Sequence, residues 1–151
     1  MDIKELLKIY AKNTGVKGLG KALADGKANG MQASAPSLAF ASLAGSSSKS
    51  LSSPFLFVME DHEEAGYLYH DLVQMLGDEN VLYFPSSFRR AVKYGQKDAA
   101  NEILRTEVLS RIASGRVPLY IVSFPDALAE LVVSHEELND QTLVLRKGEA
   151  A

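Results

Sequence analysis

Apolar residues recur at helical spacing near the start of the chain and gather into short runs further on. Ile3, Leu6, Leu7 and Tyr10 share one helical face, with Lys4, Glu5 and Lys8 opposite, which predicts a short amphipathic helix ended at Asn13-Thr14-Gly15. A second helix is predicted over 16–24, closed by Asp25-Gly26. Residues 1–27 therefore read as an N-terminal helical extension that packs on the rest of the chain or on a neighbour.

From Gly30 the pattern alternates between strands and helices. A helix of small residues is predicted over 35–44, with Pro36 in its first turn, where a missing N–H costs little. A serine-rich loop, 45–53, leads to the continuous apolar run Phe55-Leu56-Phe57-Val58-Met59, expected as a strand buried on both faces. Asp61 with Glu64 three residues on predicts a capped helix reaching Leu76 and stopped by Gly77. A second strand is expected over 81–84, ended by Pro85, and a third over 119–122. Between them lies a long helix, 98–113, with Ile103, Leu104, Val108, Leu109 and Ile112 as its apolar side and Glu102, Arg105, Thr106, Glu107 and Arg111 as a charged face, solvated or, if the domain has neighbours, an interdomain surface. Pro125 opens a helix expected to run to Val132, Ser134 with Glu137 forms another capping box, and Leu143-Val144-Leu145 reads as a last edge strand. Strands alternating with helices of this length predict an open three-layer α/β domain with a parallel sheet, residues 28–151.

Composition narrows the function classes. With 46% apolar residues in 151, the chain can bury one core, and a net charge of −3 gives no sign of a histone-like coat for nucleic acid while leaving a local basic patch open. The absence of cysteine removes disulfides, thiolate zinc sites and cysteine nucleophiles, and fits a reducing cytoplasm. The longest strongly apolar stretch, 54–59, is far too short to cross a bilayer, so a cytoplasmic protein without membrane contact is expected.

In open α/β folds phosphates bind where a Gly-rich turn enters a helix. Laid on the template G-x-x-x-x-G-K-[ST], Gly30 and Ser37 fit the first and last positions, and Ser34 lies inside the loop. Ala35 stands where the second Gly belongs and Pro36 where the Lys belongs. Proline supplies neither the cation for the β- and γ-phosphates nor an N–H for the anion nest, so the loop reads as vestigial. The run Gly45-Ser-Ser-Ser-Lys49-Ser50 ends in Lys-Ser but has Leu43 and Ser48 at the glycine positions. Val58-Met59-Glu60-Asp61-His62 echoes an acidic helicase motif but has Met59 where the Mg²⁺-binding aspartate belongs. A nucleotide enzyme would have to borrow Lys49 or Arg89 as its missing cation.

Phe88, Arg89, Arg90, Lys93, Tyr94 and Lys97 form the one concentrated basic segment, interleaved with aromatics. This composition suits backbone phosphates with base stacking, a protein partner, or a solvated loop. His62 and His70 lie too far apart on one helix to share a metal, His135 stands elsewhere, and no metal or catalytic residue is expected. Ser86-Ser87 lacks the G-x-S-x-G context of a nucleophile elbow.

The order of these segments resembles the N-terminal domain of bacterial transcription-repair coupling factors, which is itself similar to the first domain of the excision-nuclease B subunit. The resemblance spans about 28–149. It runs through Gly30-Met-Gln-Ala-Ser-Ala35, Pro54-Phe-Leu-Phe-Val58 with the helix start Glu63-Glu-Ala65, Val81-Leu-Tyr-Phe-Pro-Ser86, Arg105-Thr-Glu-Val-Leu109, Tyr120-Ile-Val-Ser-Phe-Pro-Asp-Ala-Leu128 and Leu143-Val-Leu-Arg-Lys-Gly-Glu149. It implies a degenerate P-loop NTPase-like (RecA-like) fold that holds no cofactor, as the first piece of a longer ATP-dependent DNA translocase. The implied partners are other domains of the parent and, through it, RNA polymerase, DNA and the excision-repair A subunit. No family catalytic position matches a residue here, so a non-catalytic scaffold is expected. A free-standing interaction module using the basic loop 88–97 is the alternative.

Overall fold

The structure, a computed structural model, describes residues 2–27, 36–46, 54–88 and 98–140. Two short helices come first, α1 (Ile3–Tyr10) and α2 (Thr14–Ala24), each started by a capping side chain. Asp2 and Glu5 form a reciprocal capping box at α1, and Asn13 accepts from the Gly15 amide at α2. Leu7 of α1 enters the main core, and Val16 of α2 packs with Ala39 and Leu43 of α3 (Pro36–Ser46), so both helices lie against this domain.

Among the described residues the sheet has three parallel strands, β1 (Phe55–Val58), β2 (Val81–Tyr83) and β3 (Tyr120–Ser123), in the order β1-β3-β2. Phe55 pairs with Tyr120 and Val58 with Ser123 on one side of β3, while Val81 pairs with Tyr120 and Tyr83 with Val122 on the other. The α4 helix (His62–Leu76) connects β1 to β2, and α5 (Ala99–Ala113) lies between β2 and β3 in the chain. Two short helices close the described chain, α6 (Pro125–Leu128) and α7 (His135–Asp140).

Side-chain alternation divides the sheet into two faces. On one, Phe55, Phe57 and Tyr120 gather around Phe40 of α3 at centroid distances of 5.4, 4.5 and 5.3 Å, and Tyr83 meets Tyr69 of α4. On the other, Val108 and Leu109 of α5 face Ile121 and Phe84. Helices thus stand on both faces, but the second face is covered only in part. Leu56 and Val58 are each 53% exposed, which corrects the expectation that β1 is buried on both sides. At the end of the strand order among the described residues, it has α3 over one face, while α5 lies over β2 and β3.

Other boundaries follow from local chemistry. The Asp61 carboxylate accepts from the amides of Glu63 and Glu64 at the start of α4, and Gly77 ends that helix at φ 86°, which only glycine adopts without strain. Ser134 and Glu137 form the expected reciprocal cap of α7. The helix opened by Pro125 stops at Leu128 and does not run on to Val132, because the chain turns to bring Glu130 beneath Ser86 and Ser87.

The α5 helix is also rotated from its predicted facing. Arg105 and Val108 are its buried residues, while Ile103 is 68% and Ile112 48% exposed. Arg105 therefore belongs to the interior rather than to a solvated face. Arg111 reaches back to the carbonyl of Glu79 at 2.7 Å, tying the end of α5 to the turn before β2.

Candidate functional site

The carboxyl end of a parallel sheet is where α/β folds place their ligands. Here that end is built from the segment after β2 (Phe84 to Phe88), the starts of α4 and α5, and the stretch from Phe124 to Glu130. A crevice of about 340 Å³ opens between His62, Tyr83, Ser86, Phe88, Asn101 and Phe124. Phe88 is 43% exposed at its edge, and the Asn101 side chain donates to the Ser86 carbonyl at 2.9 Å.

Beside the crevice sits a polar cluster. The Glu130 carboxylate accepts from the Ser86 hydroxyl, from the Ser87 hydroxyl at 2.6 Å and from the Ser87 amide at 3.0 and 3.1 Å. Arg105 approaches it from α5, with Nη1 3.5 Å from Oε2, and donates from the same nitrogen to the carbonyls of Pro85 and Ala127 at 2.8 and 3.0 Å. The guanidinium carbon stands 4.2 Å from the centroid of the Phe84 ring, an arrangement that attracts the cation to the ring's π face.

Electrostatics follow from this arrangement. Burial would raise the Glu130 carboxyl, but hydrogen bonds from Ser86 and Ser87 and the charge of Arg105 outweigh it and hold the group below the ordinary carboxylate range. Burial lowers the Arg105 guanidinium, with Glu130 and Glu102 opposing. Arginine starts so far above neutrality that it stays a cation here, so the pair is ionised at neutral pH. Two hydroxyls, an amide and a guanidinium converge on one carboxylate. These are the donors of an anion site, and the chain's own Glu130 fills it.

The degenerate phosphate loop is described only at its end. Gly30, Ser34 and Ala35 lie outside the described residues. Pro36 is the exposed first residue of α3, and Ser37, the position a metal-binding hydroxyl would hold, is buried and donates to Asp71 of α4 at 2.9 Å. Among the described residues the elements before α3 are both helices. The serine loop with Lys49 also lies outside the described residues. Of the basic segment only Phe88 is described; Arg89, Arg90, Lys93, Tyr94 and Lys97 are not.

His62 and His70 both lie on α4, and the described residues hold no group of three or more His, Asp or Glu placed to bind a metal ion. Among them, too, no helix is long and apolar enough to cross a membrane. Sequence reasoning identified neither Glu130 nor Asp71 as a partner, and it assigned Arg105 to solvent. A cation flanked by good core positions, Leu104 and Val108, was the available signal. Comparison with family models, curated proteins and solved structures yields no significant match.

Proposed function

We propose that this chain is a non-catalytic scaffold domain of a transcription-repair coupling factor, with a degenerate NTPase-like fold. In this reading the parent is an ATP-dependent DNA translocase that removes stalled RNA polymerase and recruits nucleotide excision repair. The order and spacing of the segments from Gly30 to Glu149 support the family, and the three-stranded parallel sheet is compatible with it.

The observation that carries the catalytically silent part is the Ser37–Asp71 hydrogen bond. In a working phosphate loop the hydroxyl at this position binds the nucleotide's metal; here it is committed to a neighbouring helix. The starts of α4 and α5 do not fit a nucleotide either. Asp61 and Asp98 cap α4 and α5, so the amides that would greet a phosphate already meet carboxylates.

Mg-ATP titration followed by thermal unfolding tests the silent part, with no change in midpoint expected. A rise of several degrees that a bulky replacement of Ala35 abolishes would overturn it. The parentage is tested by an immunoblot of native cell extract with serum against this chain. A band far above 16.4 kDa is expected, and a band at 16.4 kDa would overturn it.

A second reading, an interaction module that grips nucleic acid or protein through 88–97, is favoured by one observation: Phe88 stands exposed beside a crevice lined by Tyr83 and Phe124. A shift of single-stranded DNA that weakens with salt and with Arg90→Ala would support it. No shift at low salt would remove nucleic acid from it.

A further inference from the structure

At the amino end of the sheet, opposite the cluster around Glu130, α1 lies against the body of the domain and leaves a cavity of about 420 Å³. This is the size of a small-molecule pocket. Leu7, Ala44, Met75, Leu76 and Pro118 make its wall apolar. Two of its polar lining groups are already committed, the Ser42 hydroxyl to the Leu38 carbonyl at 2.7 Å and the Asn80 side chain to Arg111 at 3.5 Å. The third is Tyr120, which is 5% exposed and has its ring packed against Phe40 and Phe55. Its hydroxyl has no hydrogen-bond partner among the described residues, although a hydroxyl on so buried a side chain ordinarily has one. Burial raises the Tyr120 hydroxyl above its ordinary pKa, so at neutral pH it keeps its proton and can donate.

Lys4 and Lys8 stand at the mouth of this cavity, one helical turn apart on the same side of α1, and both are exposed. Neither ammonium makes an ion pair among the described residues, and Glu5 of the same helix turns instead to the Asp2 amide at 3.3 Å. Like charges at this spacing repel, and an anion held between them removes the penalty. We propose that the cavity binds a small organic anion, a carboxylate on a compact apolar body such as an aromatic ring. The lysine stems are flexible, so both ammoniums and the Tyr120 hydroxyl can meet one carboxylate while the ring lies against Leu7, Met75 and Leu76. A bare inorganic ion would leave the apolar wall unused, and a neutral apolar molecule would leave the two charges unused. The cavity is at the other end of the sheet from the Glu130 cluster, so the inference stands or falls separately from the scaffold reading.

Calorimetric titration of the full chain with naphthoate at low salt tests this, with naphthalenemethanol, the uncharged analogue on the same ring system, as the control. A Kd on the order of 0.1 mM is expected for an acid of this size, with affinity falling as salt rises. The alcohol should bind about tenfold more weakly, and so should the acid to the double variant Lys4→Gln, Lys8→Gln. Tyr120→Phe keeps the ring packing and should weaken the acid about fivefold. In the unsubstituted chain, where folding is unperturbed, naphthoate should shift the amide resonances of Lys4, Lys8, Asn80 and Tyr120. No binding at millimolar naphthoate overturns the proposal, and so does equal affinity for the alcohol. Unchanged affinity in the lysine variant, or amide shifts centred on Leu56 and Leu109 instead, places any binding elsewhere and likewise overturns it.

Discussion

Arg105 of α5 and Glu130 beyond α6 meet at 3.5 Å, with side chains only 7% and 15% exposed. One cation thereby joins the long helix to the end of β2, through the Pro85 carbonyl, and to α6, through the Ala127 carbonyl. Removing either charge strands the other in a site with little water. Arg105→Ala and Glu130→Ala should each cost about 3–5 kcal/mol. The double variant should cost less than the two single losses added together, because the second substitution removes a charge already stranded. Urea unfolding of the four chains measures this, and strict additivity would show that the two groups act independently.

The same carboxylate predicts a dependence on acid. Folded Glu130 holds its proton less readily than an unfolded glutamate, whose ordinary value is about 4.3. Above that pH both states are ionised and the stabilisation is complete. As pH falls through 4.3 and then through the lower folded value, the unfolded chain takes up the proton first and the stabilisation is lost. Denaturation midpoints of the unsubstituted chain and Glu130→Gln should therefore be well separated at pH 7 and converge toward pH 3. A separation that stays constant across this range would remove the carboxylate from the acid response.

Ser37 and Asp71 yield a prediction that separates packing from nucleotide chemistry. A partly buried hydrogen bond to a carboxylate contributes about 1.5–3 kcal/mol, so Ser37→Ala should lower stability by an amount in that range or slightly below it. Asp71→Ala should do the same, and the pair together no more than either alone. None of the three variants should change the response to Mg-ATP. Thermal unfolding with and without nucleotide gives both readouts, and a loss of nucleotide response in Ser37→Ala would return that hydroxyl to phosphate chemistry.

The elements were largely legible in the sequence because their signals are local. Asp61 and Ser134 cap helices within three residues of themselves, Gly77 ends α4, and the apolar runs expected at 55–59, 81–84 and 119–122 supply the strands Phe55–Val58, Val81–Tyr83 and Tyr120–Ser123. The polar cluster was not legible, because Ser86, Arg105 and Glu130 are 44 residues apart end to end and meet only after the sheet forms. The misplaced faces share a cause. An apolar residue is equally at home in a core or in a groove awaiting cover, so Ile103, Ile112, Leu56 and Val58 read as interior. Arginine can stretch an aliphatic stem through apolar surroundings to buried carbonyls, so Arg105 read as solvated.

Two glycines of α2 test whether that helix packs on α3. A Cβ built on Gly18 meets no heavy atom within 4 Å, whereas one built on Gly20 lies 2.7 Å from Cδ2 of Leu43, a buried residue of α3. Both positions lie inside the helix, where alanine is favoured over glycine by about 1 kcal/mol. Gly18→Ala should therefore stabilise the chain by about 0.5–1 kcal/mol. Gly20→Ala should gain none of this, because Leu43 must shift within its cluster with Val16 and Ala39 to admit the methyl group, at a cost of about 1–3 kcal/mol. Paired thermal unfolding of the two variants decides the point. Equal stabilisation by both would mean that α2 stands clear of α3, and a loss confined to Gly20→Ala would locate the N-terminal helices on this domain in solution.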